Sequence, residues 1–301
     1  MLLLPIGLLT SAVPAANPLL LDAIGVAVRG AYGSRKLRES YAGACVRMRR
    51  ASDNAELDLG FAADGSMDSA AILAFGGPSG SVYVTKWYDQ SAAVQDMSQA
   101  VAAQQPSLLL NGVAARLQNA TSRPSPLFNV PLTTSLFNAA FSFGAASDSV
   151  SVSAVGMNNA STQNYARFAC FTATGQTEDY DSPGSACLIL ACAGNTTLGS
   201  YRHVLLANIP ITKNEPFQAV SSFDGTSHIV TVNGTASAPS SSTGLFAADG
   251  RMIFGMKVPG LNQGDQAWDG YISEVIIATG PLSTGDQATI RTSQQTYYGT
   301  P

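Results

Sequence analysis

The 301-residue chain is predicted to fold as an all-β, two-sheet antiparallel sandwich of the jelly-roll type. Three observations predict this fold. Short apolar or alternating runs recur at roughly even spacing, turn dipeptides such as Asn233-Gly234 separate them, and amphipathic helical patterns are few. A chain of this length can form one all-β domain, and no clear Pro/Ser-rich linker divides it. We therefore expect one main domain, residues 29–301, preceded by an N-terminal docking arm, residues 1–28.

The predicted strands have turn residues between them. Asp224-Gly225, Asn233-Gly234 and Asp249-Gly250 are dipeptides that readily adopt positive φ and favour tight turns. Paired-sheet strands are expected over 228–233 and 270–277. The strand-like runs are SVYVTKWYD, SVSVSAVGM, ARFACFTATG, ACLILACAG, YRHVLLANI, FQAVSSFDG, HIVTVNG, RMIFGMKV and YISEVIIATG.

The start of the chain is apolar. Met1 to Ala16 has the apolar run and small residues of a signal peptide, but it lacks a positively charged start, and Pro5 and Gly7 interrupt the run. We favour a short arm that docks on a neighbouring subunit or on the domain itself. Residues 17–37 follow with a mixed pattern that we interpret as helical. The apolar side chains assigned to the arm are Leu2, Leu3, Leu4, Ile6, Leu8 and Leu9.

Composition excludes several classes of protein. Apolar residues make up 46% of the chain, which is ample for a packed core and excludes a disordered protein. Charged residues make up 12% and the net charge is −4, so the sequence has no basic footprint for nucleic acid. No run of 18 apolar residues predicts a membrane-spanning helix. The surface is expected to consist largely of Ser, Thr, Asn, Gln and Gly.

Cysteine and histidine do not indicate a metal site. The four cysteines form no CxxC pair, and His203 and His228 lie far from them in the sequence. The favoured interpretation is free, buried thiols in apolar strands, and no metal or cofactor is expected. The cysteines are Cys45, Cys170, Cys187 and Cys192.

Charged residues in two regions have structural interpretations. The strand ACVRMRRASD carries a basic outer face that we expect to be solvated or paired with Asp53, Glu56 and Asp58. The acidic segment 178–181 is expected to be a solvated loop, with a Ca²⁺ site through Glu178, Asp179 and Asp181 as the alternative. Glu274, in an apolar strand, is either an outer-face residue or a buried acceptor that needs a partner.

Two halves of the chain resemble known families. The segments AVSSFDGTSHIVTVNG, RMIFGMKV and WDGYISEVIIATGPLSTGDQATI resemble laminin-G/pentraxin-like domains of the concanavalin-A-like superfamily. The segments AYGSRKLRESYAGACVRMRRASDNAELDLGF and VTKWYDQSAAVQDMSQAVAAQQPSLLLNG are similar to the N-terminal part of the arabinofuranosidase B catalytic domain. Such segments also resemble parts of tailed-phage virion proteins. Both resemblances imply the same concanavalin-A-like sandwich, with a short closing helix.

The resemblance to arabinofuranosidase B implies two catalytic carboxyl groups, a Glu in a strand before a hairpin and an Asp in a loop after a later strand. The chain has no Asp or Glu between Asp181 and Glu215, and Val258-Pro259 occupy the loop in which the acid is expected. Asp265 and Asp269 follow several residues later. We therefore expect that both catalytic carboxylates are lost, that the chain is not an enzyme, and that it does not turn over aryl α-L-arabinofuranosides.

Four residues are candidates for ligand binding. Trp268 and Tyr271 are expected to offer rings on which a sugar stacks, with a rim residue covering the core as the alternative for Trp268. Asp89 and Gln90 belong to the Tyr-Asp-Gln-Ser segment of the resemblance. The alternative that we favour for Asp89 is structural, because a carboxylate at a strand end accepts N–H bonds from the turn that follows.

These observations together favour a non-enzymatic structural protein of a phage particle, in a head decoration, spike or tail fibre. We expect it in the virion after assembly in the host cytoplasm, as a homo-oligomer that contacts other virion proteins through the arm. Host surface glycans are a further expected ligand; nucleic acid and membranes are not. The alternative is a secreted carbohydrate-active enzyme or carbohydrate-binding module of arabinofuranosidase type, which predicts cleavage near Ala16 and oxidised cysteines.

Overall fold

The computed structural model describes residues 19–129, 133–159, 165–179, 182–192, 196–202, 204–241, 243–256 and 266–301, without the side chains of 192 and 204–207. The described chain contains helices α1 (Leu20–Ala23), α2 (Ser69–Gly76) and α3 (Thr284–Tyr298), and one 3₁₀ turn at Ala102–Gln104. The expected arm residues 1–18 lie outside the described residues.

The strands account for most of the regular structure. In chain order they are β1 (Ala27–Gly33), β2 (Val46–Arg50), β3 (Glu56–Leu59), β4 (Val82–Trp87), β5 (Met97–Ser98), β6 (Ser107–Leu110), β7 (Val113–Ala114), β8 (Leu127–Phe128), β9 (Leu136–Ser142), β10 (Ser149–Asn158), β11 (Arg167–Ala173), β12 (Ala186–Cys192), β13 (Thr197–Arg202), β14 (Val204–Pro210), β15 (Pro216–Asp224), β16 (Ser227–Val232), β17 (Thr235–Ala236), β18 (Ser240–Ser241), β19 (Asp249–Phe254) and β20 (Gly270–Thr279).

The strands form the two layers of an antiparallel sandwich, which confirms the predicted fold class. One layer runs β1-β20-β10-β15-β16. The other runs β3-β2-β4-β5-β9-β19-β11-β12-β13-β14. Short strands β6 and β8 join β4 to β20, so hydrogen bonding passes from one layer to the other. We call these layers the helix-side sheet and the pocket-side sheet.

A continuous apolar core lies between the two sheets. Its largest fully buried side chains are aromatic, and Trp87, Tyr32 and Phe254 make edge-on contacts with one another at its centre. Strand β10 shows how the sequence places this core. Its alternating Val and Ser residues put Val150 and Val152 in the core, and the intervening serines face the opposite side.

Helix α3 covers the outer face of the helix-side sheet. The Ser283 hydroxyl accepts a hydrogen bond from the Asp286 amide and caps the helix start, and Gly299 ends it with a left-handed φ of 65°. A second apolar cluster fills the space between this helix, α1 and the sheet. It consists of Leu20, Leu21, Ala31, Leu37, Val220, Ile276, Leu282 and Ile290.

The N-terminal region differs from the prediction. Residues 17–37 were expected to be helical, but helix α1 spans only Leu20–Ala23 and β1 begins at Ala27. The cause is tertiary: β1 pairs with β20 along its length, and Leu20 and Leu21 are buried against the helix-side sheet. The described residues 19–28 therefore pack on the domain itself, which is one of the two docking positions expected for the arm.

Two of the three predicted turns form as expected. Gly225 and Asn233-Gly234 have positive φ at the ends of β15 and β16. Asp249-Gly250 is not a turn but the start of β19. Glycine is required there for a different reason, because a Cβ at Gly250 would lie 2.3 Å from the carbonyl oxygen of Thr172.

The basic face of β2 is paired, as one of the interpretations above expected. Arg47 contacts Asp58 and Glu56, and Arg50 contacts Asp53, all at the surface. In the described part of the chain, no helix combines the length and the apolar character needed to cross a bilayer.

Candidate functional site

A pocket of about 210 Å³ opens on the outer face of the pocket-side sheet, where β11, β12 and β13 run side by side. Its lining combines two phenol rings, a guanidinium, a carboxamide and one apolar side chain. The five residues that line it are Tyr165, Arg167, Leu190, Tyr201 and Gln266.

The strands beneath the pocket are irregular. The β11–β12 register shifts on both sides of Ala169, and the β12–β13 register shifts between Cys187 and Leu190. Bulges of this kind bend a strand and change the direction of its side chains, and they are common beside functional sites. The apolar sequence ARFACF thus forms a strand that directs one charged residue, Arg167, towards the pocket.

Arg167 is held by a buried ion pair. Its Nε and Nη2 atoms each lie 3.1 Å from an oxygen of Asp179, and both residues are almost fully buried. Its Nη1 donates to the carbonyl oxygen of Tyr165 at 2.6 Å. The segment 178–181 was expected to be a solvated loop, but Asp179 is fully buried because it compensates the charge of Arg167; Asp181 lies outside the described residues.

A disulfide joins Cys170 and Cys187, which are register partners on β11 and β12. The expectation of free thiols is therefore wrong for these two cysteines, while Cys45 is free and buried as expected. The disulfide packs with Leu190 and Tyr201 directly under the pocket. The pairing could not be read from the sequence, because it depends on the register of two strands.

The disulfide also bears on metal binding. The sulfur atoms of Cys170 and Cys187 and a carboxylate oxygen of Asp179 lie within 4.8 Å of one another. Since the sulfurs are bonded to each other and Asp179 is bonded to Arg167, this group lacks the free thiolates that a metal such as zinc requires.

The remaining lining residues give the pocket an aromatic rim and an acceptor. Tyr165 is 37% exposed, and its ring meets that of Tyr201 edge-on with 6.3 Å between centroids. The Oε1 atom of Gln266 is buried and has no hydrogen-bond partner in the described chain. Aromatic faces beside a few fixed polar groups are the usual means by which a protein binds a small polar ligand.

Two predicted ligand-binding residues lie away from this pocket. Trp268 is fully buried in the core, edge-on to Phe168 and Phe217, so its ring cannot serve as the expected platform. Tyr271 is 7% exposed and belongs to a small cluster with Tyr298 on the helix side. Tyr271 lies on β20, which runs through the centre of the helix-side sheet, and Trp268 lies just before that strand.

Asp89 and Gln90 are engaged in holding a loop. The Asp89 carboxylate accepts bonds from the amides of Ala31, Ser91 and Gln95 and from the Ser91 hydroxyl. Burial raises the pKa of the Asp89 carboxyl, and these four donors oppose that shift. Gln90 accepts from the Leu37 amide and donates to a backbone carbonyl. Both side chains thus fix the connection between β1 and the loop after β4.

Glu274 was expected to be either an outer-face residue or a buried acceptor, and it is the buried acceptor. It is fully buried on β20 and accepts bonds from Arg35, Gln294 and Tyr298.

The expected loss of catalytic carboxylates rests on two segments that lie largely outside the described residues. They are the loop 257–265 and the side chains of 203–207. The structure therefore does not show that the carboxylates are lost.

None of the five lining residues was predicted from the sequence. One signal was present: Arg167 is a charged residue inside the apolar run ARFACF, and such a residue needs a partner when its strand is buried. The partner, Asp179, is 12 residues away in a segment interpreted as exposed, so the pair was not recognised. Gln266 and the two tyrosines gave no comparable signal.

Comparison with known proteins relates the fold to a class of enzymes. The family profile described as "Alpha-L-arabinofuranosidase B, catalytic" matches residues 23–127. This match covers less than half of the chain. A search of curated protein sequences finds no match.

Solved structures similar to this chain include three of arabinofuranosidases. An arabinofuranosidase complexed with arabinofuranosyl-α-1,2-xylobiose has a TM-score of 0.68 at 17% identity, and covers 93% of this chain and 64% of its own. A mutant GH54 α-L-arabinofuranosidase soaked with 4-nitrophenyl α-L-arabinofuranoside has a TM-score of 0.70 at 16% identity with the same coverage. A GH54 α-L-arabinofuranosidase soaked with a cyclic sulfate inhibitor has a TM-score of 0.68. The likeness at this identity establishes the fold, and the chain spans about two thirds of those proteins.

These findings correct the functional expectation. The matching family profile is that of an enzyme's catalytic domain, and the similar structures are arabinofuranosidases. The interpretation as a non-enzymatic structural protein of a phage particle, located in a virion, is therefore wrong, and the alternative of a carbohydrate-active protein is the better supported one. The error came from inferring a lost function from two short segments without their three-dimensional surroundings.

Proposed function

We propose that this chain is a carbohydrate-active enzyme domain of the α-L-arabinofuranosidase type, and that the pocket over β11–β13 holds the arabinofuranosyl unit. The observation that carries the proposal is the pocket itself. It pairs phenol rings with an orphaned carboxamide acceptor, in a chain whose fold matches arabinofuranosidases over 93% of its length.

The size and chemistry of the pocket support a single sugar unit as the ligand. Its volume of about 210 Å³ is below the range typical for drug-sized ligands, roughly 300–1,000 Å³. Tyr165 and Tyr201 offer apolar ring surface for the C–H face of a sugar, and Gln266 offers an acceptor for a hydroxyl group. A neutral ligand fits best, because Asp179 already compensates the charge of Arg167.

Hydrolysis of a glycosidic bond requires two carboxyl groups, about 5–5.5 Å apart in retaining enzymes and roughly 6.5–9.5 Å apart in inverting ones. The stretch 182–214 contains no Asp or Glu, so both groups come from outside it. Two carboxyl groups flank the pocket residue Gln266 in the sequence. Asp265 precedes Gln266 directly, and Asp269 follows it by three residues. We propose Asp265 and Asp269 as the acid and its partner.

A secreted location is consistent with this function. Disulfides persist in oxidising compartments, and the alternative reading of the sequence predicted oxidised cysteines. The Cys170–Cys187 bond meets that expectation. Intact-mass measurement of the protein recovered from its native source tests the location, and we expect loss of an N-terminal segment ending near Ala16.

The activity is tested by incubating the purified chain with 4-nitrophenyl α-L-arabinofuranoside and following release of 4-nitrophenolate. We expect turnover of the furanoside and none of the matched α-L-arabinopyranoside, which differs in ring size. Substituting the general acid is expected to reduce kcat by about 10²–10⁴-fold. The variants are Asp265→Asn and Asp269→Asn.

The control variant is Asp58→Asn, at the exposed surface of β3 and paired with Arg47. It is expected to retain full activity. Wild-type protein that binds the furanoside without hydrolysing it would contradict the enzymatic proposal. Activity that survives both aspartate substitutions would refute the choice of these two catalytic residues and leave the enzymatic proposal standing.

A further inference from the structure

We propose that Oε1 of Gln266 is a specificity-determining acceptor for one hydroxyl group of the sugar, and that Arg167 and Asp179 are the positioning residues that hold it. This inference rests on the proposed function and deepens it. It assigns the pocket a neutral furanoside whose selected hydroxyl donates to Gln266.

The first step is the unsatisfied atom. Gln266 lines the pocket, and its Oε1 is buried without a hydrogen-bond partner in the described chain. Buried acceptors are nearly always satisfied, since leaving one without a donor is destabilising. An unsatisfied acceptor at the wall of an open pocket is satisfied when a ligand hydroxyl enters. A ligand without that hydroxyl leaves the acceptor unpaired and binds less well.

The second step is how the acceptor is held. The backbone carbonyl of Gln266 accepts a bond from the Arg167 amide at 2.9 Å, and Ala267 forms a parallel bridge with Arg167. The backbone around Gln266 is thus attached to β11 at the residue whose side chain also lines the pocket. The Arg167 side chain is in turn fixed by Asp179 and by its bond to the Tyr165 carbonyl. Arg167 is therefore attached to both lining residues, to Gln266 through its backbone amide and to Tyr165 through the side chain that Asp179 holds.

The third step is charge. Both oxygens of Asp179 face the guanidinium of Arg167, so the pair is electrically compensated within the protein. An acidic sugar would have to compete with Asp179 for the guanidinium, whereas a neutral sugar leaves the pair intact. Selection therefore depends on the hydroxyl that donates to Gln266 and not on attraction of an anion.

The experiment compares 4-nitrophenyl α-L-arabinofuranoside with its 2-, 3- and 5-deoxy analogues. For the wild type, one analogue is expected to lose about tenfold in kcat/KM, which is the effect of one neutral hydrogen bond. For Gln266→Leu, kcat/KM on the parent compound is expected to fall about tenfold, with no further fall on that analogue. The matched control is Gln118→Leu, an exposed glutamine, and it keeps the wild-type pattern.

Two further variants separate positioning from a general structural role. Asp179→Asn is expected to raise KM on the parent and to weaken discrimination at the same hydroxyl as Gln266→Leu. Glu274→Gln weakens the other buried pair, between Glu274 and Arg35, and is expected to leave discrimination unchanged. Gln266→Met, close in shape to glutamine, repeats the test in case the leucine variant does not fold.

The outcomes are distinct. The wild type can be active while Gln266→Leu and Gln266→Met discriminate against the three analogues just as the wild type does. That result overturns the inference and leaves the proposed function standing. A wild type that neither binds nor hydrolyses the parent furanoside overturns the proposed function, and the inference with it. If only Gln266→Leu and Asp179→Asn lose discrimination, and both lose it at the same hydroxyl, the result supports the inference and the proposed function.

Discussion

In the described part of the chain, two buried arginine–carboxylate pairs lie on opposite faces of the sandwich. On the helix side, Arg35 Nε lies 2.7 Å from Glu274, which also accepts bonds from Gln294 and Tyr298 of α3. On the pocket side, Arg167 and Asp179 form a comparable two-bond contact at 3.1 Å. The first pair is enclosed by helix α3, and the second borders an open pocket. The same chemistry therefore fastens a helix in one place and shapes a ligand site in the other.

The difference lies in what surrounds each pair. Glu274 accepts hydrogen bonds from Arg35 and from two side chains of helix α3. The Arg35 guanidinium lies 4.8 Å from the ring centre of Tyr297. Its residues are 239 positions apart, so it joins the two ends of the chain. Arg167 and Asp179 are 12 positions apart and join one loop to one strand. A long-range pair stabilises the fold as a whole, while a local pair next to a pocket orients the side chains that line the pocket.

The largest effect is expected from Glu274→Ala. Removing this carboxylate leaves the Arg35 guanidinium buried without its counter-ion and removes the acceptor for two α3 side chains. We expect the free energy of unfolding to fall by about 3–5 kcal/mol. Urea unfolding followed by circular dichroism measures this. Asp53→Asn, in an exposed pair with Arg50, is the control and should unfold like the wild type; an equal effect of the two variants would contradict the comparison.

Asp179→Asn is expected to act mainly at the pocket. The amide retains one acceptor for Arg167, so the loss of stability is expected to be smaller, about 2 kcal/mol, the range for a hydrogen bond to a charged group. The apparent affinity for the furanoside is expected to fall about tenfold, because Gln266 and Tyr165 lose their common support. Unfolding curves and KM, measured side by side with Glu274→Ala, test the distinction. It fails if Glu274→Ala changes KM more than Asp179→Asn does.

Another buried ionisable group, His228, forms no ion pair among the described residues and sharpens the comparison further. It contacts the hydroxyls of Ser200 and Ser221, and burial lowers its pKa to about 3, with a smaller opposing effect from Asp224. The folded pKa is below the unfolded value of about 6.5, so His228 stabilises the neutral folded state above pH 6.5. That contribution is lost as the pH falls from 6.5 towards 3, with a slope approaching about 1.4 kcal/mol per pH unit.

His228→Gln is expected to remove this slope between pH 6.5 and about 5, the interval above the range in which carboxylates titrate. The measurement is the midpoint of urea unfolding at half-unit pH steps for both proteins. Parallel pH profiles for the wild type and the variant would assign the acid sensitivity to the carboxylates instead. Asp224 is relevant below that interval, since backbone and hydroxyl donors of Thr226 and Ser227 hold its pKa well below the usual range.

The sequence was sufficient for the sandwich and for much of its strand pattern. Strand β10 alternates valine and serine, and Asn233-Gly234 adopts the positive φ that a tight hairpin requires, so local chemistry alone predicted both features. Predicted strands over 228–233 and 270–277 correspond to β16 and β20. Local pattern failed at residues 17–37, where pairing with β20 overrides a mixed helical signal.

The candidate site was decided by tertiary structure. Gln266 reaches Arg167 from a segment almost 100 positions later, and Cys170 meets Cys187 through strand register, so neither contact has a periodicity that a sequence shows. Trp268 was a candidate ring for sugar stacking, with a rim residue covering the core as the alternative, and in the folded chain it is completely buried. Periodicity reports which face of a strand is apolar. Which distant side chains meet on that face depends on how the two sheets and their loops pack, and that is settled only in the folded chain.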